Sequence, residues 1–123
     1  MRILIAEDEE LNQTVIVAMI ELIYDGVSVT VVGDGAQALE ELKRTPYDLV
    51  LTDIDMPVMN GYMLLEAIKA CSLCVPLICV TAFAVSGDRE KLLLHGFDDY
   101  ISKPINMDEM KKVLDRYIDA SVF

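Results

Sequence analysis

The 123-residue chain predicts a three-layer α/β domain built on a parallel five-stranded sheet. Two observations carry this. Apolar runs of strand length recur five times between stretches of helical period, and the first four are nearly continuous in Val, Ile and Leu rather than alternating apolar with polar. Continuous apolar strands are covered on both faces, which is the condition of a parallel sheet between two helix layers. Strict alternation of strand and helix then requires right-handed crossovers and one core, spanning residues 1–123 as a single domain.

The strands are expected at Ile3 to Ala6, Val27 to Val32, Leu49 to Thr52, Leu77 to Val80 and Tyr100 to Ser102, and the helices at 10–24, 35–44, 62–71, 86–95 and 107–119. Asp25-Gly26 and Asp34-Gly35 read as turns, Pro46 and Pro76 stand just ahead of strands, and Asn60-Gly61 breaks the chain before the third helix. Asn106 is expected to cap the last helix, with Glu109 three residues on in a capping-box position. The first helix is apolar around much of its circumference (Val15, Ile16, Val17, Met19, Ile20, Leu22, Ile23). That pattern fits either a helix covered by the sheet or a partner surface, and the partner reading makes Ile16 and Ile20 contact residues.

Composition excludes several functions. Ten basic against twenty-one acidic residues give a net charge of −11, which repels nucleic-acid backbone and anionic lipid, so no direct nucleic-acid or membrane partner is expected. No signal-peptide pattern or membrane-length apolar run occurs, which predicts a cytoplasmic protein. Cys71, Cys74 and Cys79 form an odd set that does not resemble a disulfide framework, and His95 reads as a helix-end surface residue.

In parallel α/β sheets ligands sit beyond the carboxyl ends of the strands. At those ends stand Glu7 and Asp8, Asp53 followed by Asp55, Met56 and Pro57, Thr81-Ala82, and Lys103-Pro104. Carboxylates gathered at one edge repel unless a cation joins them, and an oxygen-only donor set suits a hard ion such as Mg²⁺, or Mn²⁺. A carboxylate facing such an ion can act as nucleophile towards phosphorus, with Lys103 neutralising charge and the Thr81 hydroxyl donating a hydrogen bond. Taken singly, Asp53 could be a solvated strand-end acid, Glu7-Asp8 a helix cap, Thr81 a backbone-bonded hydroxyl, Lys103 a surface lysine and Tyr100 a packed aromatic; co-location is what favours a site. The absence of a Gly-rich phosphate loop and of kinase motifs argues against nucleotide triphosphate binding.

Together these motifs resemble the receiver domain of two-component response regulators over essentially the whole chain. The resemblance implies a flavodoxin-like fold with strand order 2-1-3-4-5. It implies Asp53 as phosphoacceptor; Asp8 and Asp53 as direct metal ligands; Glu7 as a ligand through water and Asp55 through its backbone carbonyl. It further implies Thr81, Ala82 and Lys103 as phosphoryl-binding residues, Tyr100 with Thr81 as the switch, and a cis peptide before Pro104. A histidine kinase or histidine phosphotransfer domain becomes the expected donor. The surface of the fourth helix, fifth strand and fifth helix becomes the output face towards a protein effector, and a homodimer is allowed.

The segments Glu7 to Gln13 and Gly87 to Lys91 are more similar to receivers of hybrid sensor kinases, while the strand starting directly after Met1 leans towards a stand-alone regulator. Asp55 and Phe83 occupy the positions that in receivers tune the lifetime of the aspartyl phosphate. A competing reading takes Asp53-x-Asp55 as the nucleophile motif of a haloacid-dehalogenase-type phosphatase. That class places its motif on the first strand and needs more chain. A third reading is a binding-only module that never takes phosphate, against which the full set of acceptor residues counts.

Overall fold

The computed structural model describes residues 1–82 and 88–122. In chain order the elements are β1 (Arg2–Ala6), α1 (Glu10–Ile23), β2 (Ser28–Val32), α2 (Gly35–Arg44), β3 (Leu49–Asp53), α3 (Gly61–Ala70), β4 (Leu77–Thr81), α4 (Asp88–His95), β5 (Asp99–Ser102) and α5 (Met107–Val122). All strand pairs are parallel and the order is β2-β1-β3-β4-β5, as expected. The positions of Phe83 and Gly87 lie outside the described residues.

Alternate residues of each strand feed opposite faces, which explains why the strands are apolar throughout. Ile3, Ile5, Leu49, Leu51, Ile78 and Ile101 pack against Ile16 and Ile20 of α1 and Met110 and Leu114 of α5. Leu4, Val50, Leu77 and Cys79 face Ala38 and Leu42 of α2, Leu64 and Ile68 of α3, and Leu92 of α4. Ile16 and Ile20 are therefore core residues, 2% and 0% exposed, and cannot be contact residues for a partner. The large apolar residues that α1 leaves exposed are Leu11, Val15 and Leu22.

Capping follows the turn chemistry with two corrections. Asp34-Gly35 is not a turn: Asp34 caps α2 by accepting from the Gln37 N–H at 2.8 Å, and Gly35 is the first helical residue. Asn106 does cap α5, accepting from the Asp108 and Glu109 N–H groups. The Glu109 carboxylate, however, does not close a capping box; it accepts from the backbone and hydroxyl of Ser102 instead, tying α5 to β5. Asn60 caps α3 through the Met63 N–H. Among the described residues no helix is long and apolar enough to cross a membrane.

Candidate metal and phosphoryl site

The pairing of β1 with β3 decides the site. Ala6 lies beside Thr52, so Glu7 and Asp8 leave β1 next to Asp53, the last residue of β3. Carboxylate oxygens of Glu7, Asp8 and Asp53 all lie within 4.8 Å of one another. Glu7 is held there by the chain: its N–H donates to the Val32 carbonyl at 3.0 Å, and its own carbonyl accepts from Gln13 Nε2 at 2.5 Å. Asp53 Oδ1 accepts from the Ile54 N–H at 2.7 Å.

Lys103 reaches the same point from β5. Its N–H donates to the Thr81 carbonyl at 2.8 Å, which sets its start beside the end of β4, and the Lys103–Pro104 peptide is cis as expected. Its Nζ donates to Asp53 Oδ2 at 2.9 Å and to Glu7 Oε1 at 3.3 Å. Thr81 is buried at the end of β4, paired with Ser102 of β5; Ala82 follows it, exposed. Tyr100 is half-buried on β5 with its ring packed against the cluster beneath α2, α3 and α4. Asp55 stands exposed in the loop after β3, its side chain outside the carboxylate cluster.

The electrostatics of the cluster are unbalanced. Glu7 is 1% exposed, and its Oε2 is buried with no hydrogen-bond partner. Burial, together with the closeness of the Asp53 carboxylate, pushes the Glu7 carboxyl up to about 7, against the opposing pull of Asn12 and Lys103. Burial works against the Lys103 charge, but its hydrogen bond to Asp53 and the charges of Asp53 and Glu7 outweigh this and hold the ammonium above its ordinary range. Cys79 lies below, opposite Thr52 on β4, where burial first and the Asp53 charge second push its thiol up to about 12.

This donor set fits a hard divalent cation. All three side chains offer oxygen, none offers nitrogen or sulfur, and one buried oxygen lacks a partner. By contrast, a cavity of about 310 Å³ lies at the opposite edge of the sheet, lined by Leu42, Pro46, Tyr47, Leu73 and Cys74, and contains none of these acids. Cys71 and Cys74 are exposed free thiols at the end of α3, remote from the site by element, and His95 is exposed at the end of α4.

Sequence reasoning missed the groups that hold the acids in place: the Ile54 N–H, the Val32 carbonyl and Gln13. The partner of the Val32 carbonyl is revealed only by strand pairing, while the Ile54 N–H meets its neighbour Asp53 only through the local turn of the chain after β3. Gln13 carried a weak signal, in the first turn of a helix that begins three residues after Glu7.

A five-stranded α/β domain with acids at the β1 and β3 ends and a lysine after β5 defines a receiver-type site. The model of the response regulator receiver domain matches residues 3–115, and the chain belongs to this family of two-component signalling domains. It is similar to hybrid signal transduction histidine kinase I of Dictyostelium discoideum, at 37% identity over 95% of this chain and 7% of that protein. It is also similar to the signal transduction histidine-protein kinase BarA of Escherichia coli strain K12, at 37% identity over 98% of this chain and 13% of that protein. The likeness to hybrid-kinase receivers expected from the Glu7 to Gln13 segment is thus borne out, and the chain spans only a small part of these curated relatives.

Among solved structures, the receiver domain of a Pseudomonas aeruginosa PAO1 sensor histidine kinase, with magnesium coordinated in its active-site cleft, matches with a TM-score of 0.84 at 42% identity. That match covers 96% of this chain and 97% of the other. The receiver domain of a Francisella response regulator matches with a TM-score of 0.87 at 27% identity over 98% of both chains.

Proposed function

We propose that this chain is a phosphoacceptor switch of a two-component phosphorelay, in which Asp53 takes a phosphoryl group from a phosphohistidine with Mg²⁺ or Mn²⁺ bound. The observation that carries the reading is the placement of one strand-end carboxylate, Asp53, within 4.8 Å of two further acids and 2.9 Å from the only ammonium paired with it among the described residues.

Asp8 and Asp53 would hold the cation directly, Glu7 through water, and Asp55 through its backbone carbonyl. Bound there, the ion supplies neutralisation of the charge that gathers on the transferring group. An Asp53 carboxylate oxygen attacks phosphorus as the phosphorus–nitrogen bond of the donor breaks, and the departing imidazole keeps the electron pair and takes a proton from solvent. Lys103 exchanges part of its contact with Asp53 for a phosphoryl oxygen, while the Thr81 hydroxyl and the Ala82 N–H donate to the others.

Once Thr81 is drawn to the phosphoryl group, the space beside Tyr100 changes, and the ring turns inward. Contacts made only in that state shift a pre-existing equilibrium, and the α4-β5-α5 face carries the change to a protein effector. The donor is a histidine kinase or histidine phosphotransfer domain, reached in the cytoplasm, and the chain acts as a signalling domain rather than a turnover enzyme.

The test is incubation with Mg²⁺ and acetyl phosphate followed by intact mass. A single phosphoryl adduct, absent from Asp53→Asn and from reactions containing EDTA, is expected. An adduct that survives Asp53→Asn refutes the assignment, and continuous hydrolysis of a generic phosphate ester would favour a phosphatase instead.

A further inference from the structure

The loop between β3 and α3 leaves the sheet immediately after Asp53 and is closed by backbone hydrogen bonds. The Gly61 N–H donates to the Ile54 carbonyl at 2.9 Å, and the Met59 N–H to the Pro57 carbonyl at 2.7 Å. The second bond makes a three-residue turn centred on Val58, whose φ is 66°. A β-branched residue rarely adopts that region, and such a conformation persists only where surrounding structure imposes it.

The imposing contact comes from α2. The Gly35 N–H donates to the Met59 carbonyl at 2.9 Å. A Cβ on Gly35 would stand 2.5 Å from that carbonyl oxygen and 2.9 Å from Met59 Cγ, so no other residue permits this approach. Gly35 does not need glycine for its own backbone: it is the first residue of a helix, and its φ is not in the left-handed region. The position is fixed in turn by the Asp34 cap and by Gln37 Oε1, which accepts from the Gly33 N–H at 3.1 Å.

We propose that Gly35 is a positioning residue for the metal site: its N–H and its missing side chain seat the β3–α3 loop and so fix where the Asp55 carbonyl stands relative to Asp8 and Asp53. This rests on the reading of the Asp55 carbonyl as a metal ligand. Binding of the ion and seating of the loop are then coupled, and each strengthens the other equally.

The experiment compares Mg²⁺ affinity of the full chain, by calorimetry, in the wild type, Gly35→Ala, Gly33→Ala and Asp8→Asn. A Cβ at Gly33 would meet nothing closer than Gln37 Oε1 at 4.0 Å, so it serves as the control in the same β2–α2 connection. Gly35→Ala should weaken binding about ten- to a hundredfold, the range typical of lost support behind metal ligands, and Gly33→Ala should leave it unchanged. Wild-type affinity in a folded Gly35→Ala overturns the proposal while leaving the site reading intact. Failure of the wild type to bind Mg²⁺, or of Asp8→Asn to weaken it, overturns both. A second measurement needs no variant: hydrogen exchange of the Gly35 amide in the wild type should slow several-fold when Mg²⁺ is added. An unchanged rate, with Mg²⁺ demonstrably bound, refutes the coupling even where Gly35→Ala does not fold.

Discussion

Glu7 carries the sharpest tension in the molecule at the scale of one residue. Its carboxyl is buried beside Asp53, raised to about 7, and one of its oxygens has no partner. In the unfolded chain the group titrates near 4.5, so the metal-free folded state binds more protons between those values. Its neutral form therefore stabilises the fold fully below pH 4.5, and that contribution is lost as pH rises through 7. Glu7→Gln, which imitates the protonated group, should stabilise the chain in EDTA at pH 8 by on the order of 1–3 kcal/mol and make little difference at pH 4.5. Urea unfolding across that range checks it, and an equal effect at both ends would mean that packing, not charge, is responsible. The sequence made Glu7 legible as a site acid through its place after a strand. Its burial was not legible, because the residues that cover it come from elsewhere in the chain.

Among the elements, α3 ends on an unfavourable residue. The Leu73 N–H bonds to the Ile68 carbonyl and the Ser72 N–H to the Lys69 carbonyl, the paired bonds of a Schellman cap. The cap requires a left-handed residue, and Ser72 supplies it at φ 56°, where α4 uses Gly96 at φ 117° for the same purpose. Ser72→Gly should stabilise the protein by about 0.5–1 kcal/mol, raising Tm by about 2–5 °C in a thermal melt, without altering Mg²⁺ affinity. A lower Tm would show that the Ser72 side chain contributes more than its backbone strain removes. Helix α1 shows where element-level reading failed. Its apolar residues run nearly all round, so periodicity could not separate Ile16 and Ile20, which face the sheet, from Leu11 and Leu22, which face outward. The turn reading of Asp34-Gly35 failed for a related reason, since a cap and a turn use the same residue types.

The whole molecule is a strongly acidic body, at a net −11, with three of its carboxylates drawn together at one sheet edge. A cation bound there stabilises the folded chain by mass action, by about 2.7 kcal/mol when it is a hundredfold above its dissociation constant. Tm should thus rise with Mg²⁺ concentration in the wild type, and the rise should be lost in Asp8→Asn and in Asp53→Asn. Sodium chloride at matched ionic strength should reproduce only the smaller part due to screening of the general negative field. Equal shifts from the two salts would remove the specific site.

The sequence by itself determined the alternation of strands and helices, the parallel sheet with two covered faces, and the identities of Asp53, Asp8, Thr81 and Lys103 as strand-end residues. Local periodicity and turn chemistry are properties of short windows, and short windows suffice to read them. Only the tertiary structure decided that Lys103 pairs with Asp53 and Glu7 at once, that Glu7 is buried, and that Gly35 abuts Met59. Those contacts join residues far apart in the chain, and strand register and close backbone approach, which no window contains, set their distances.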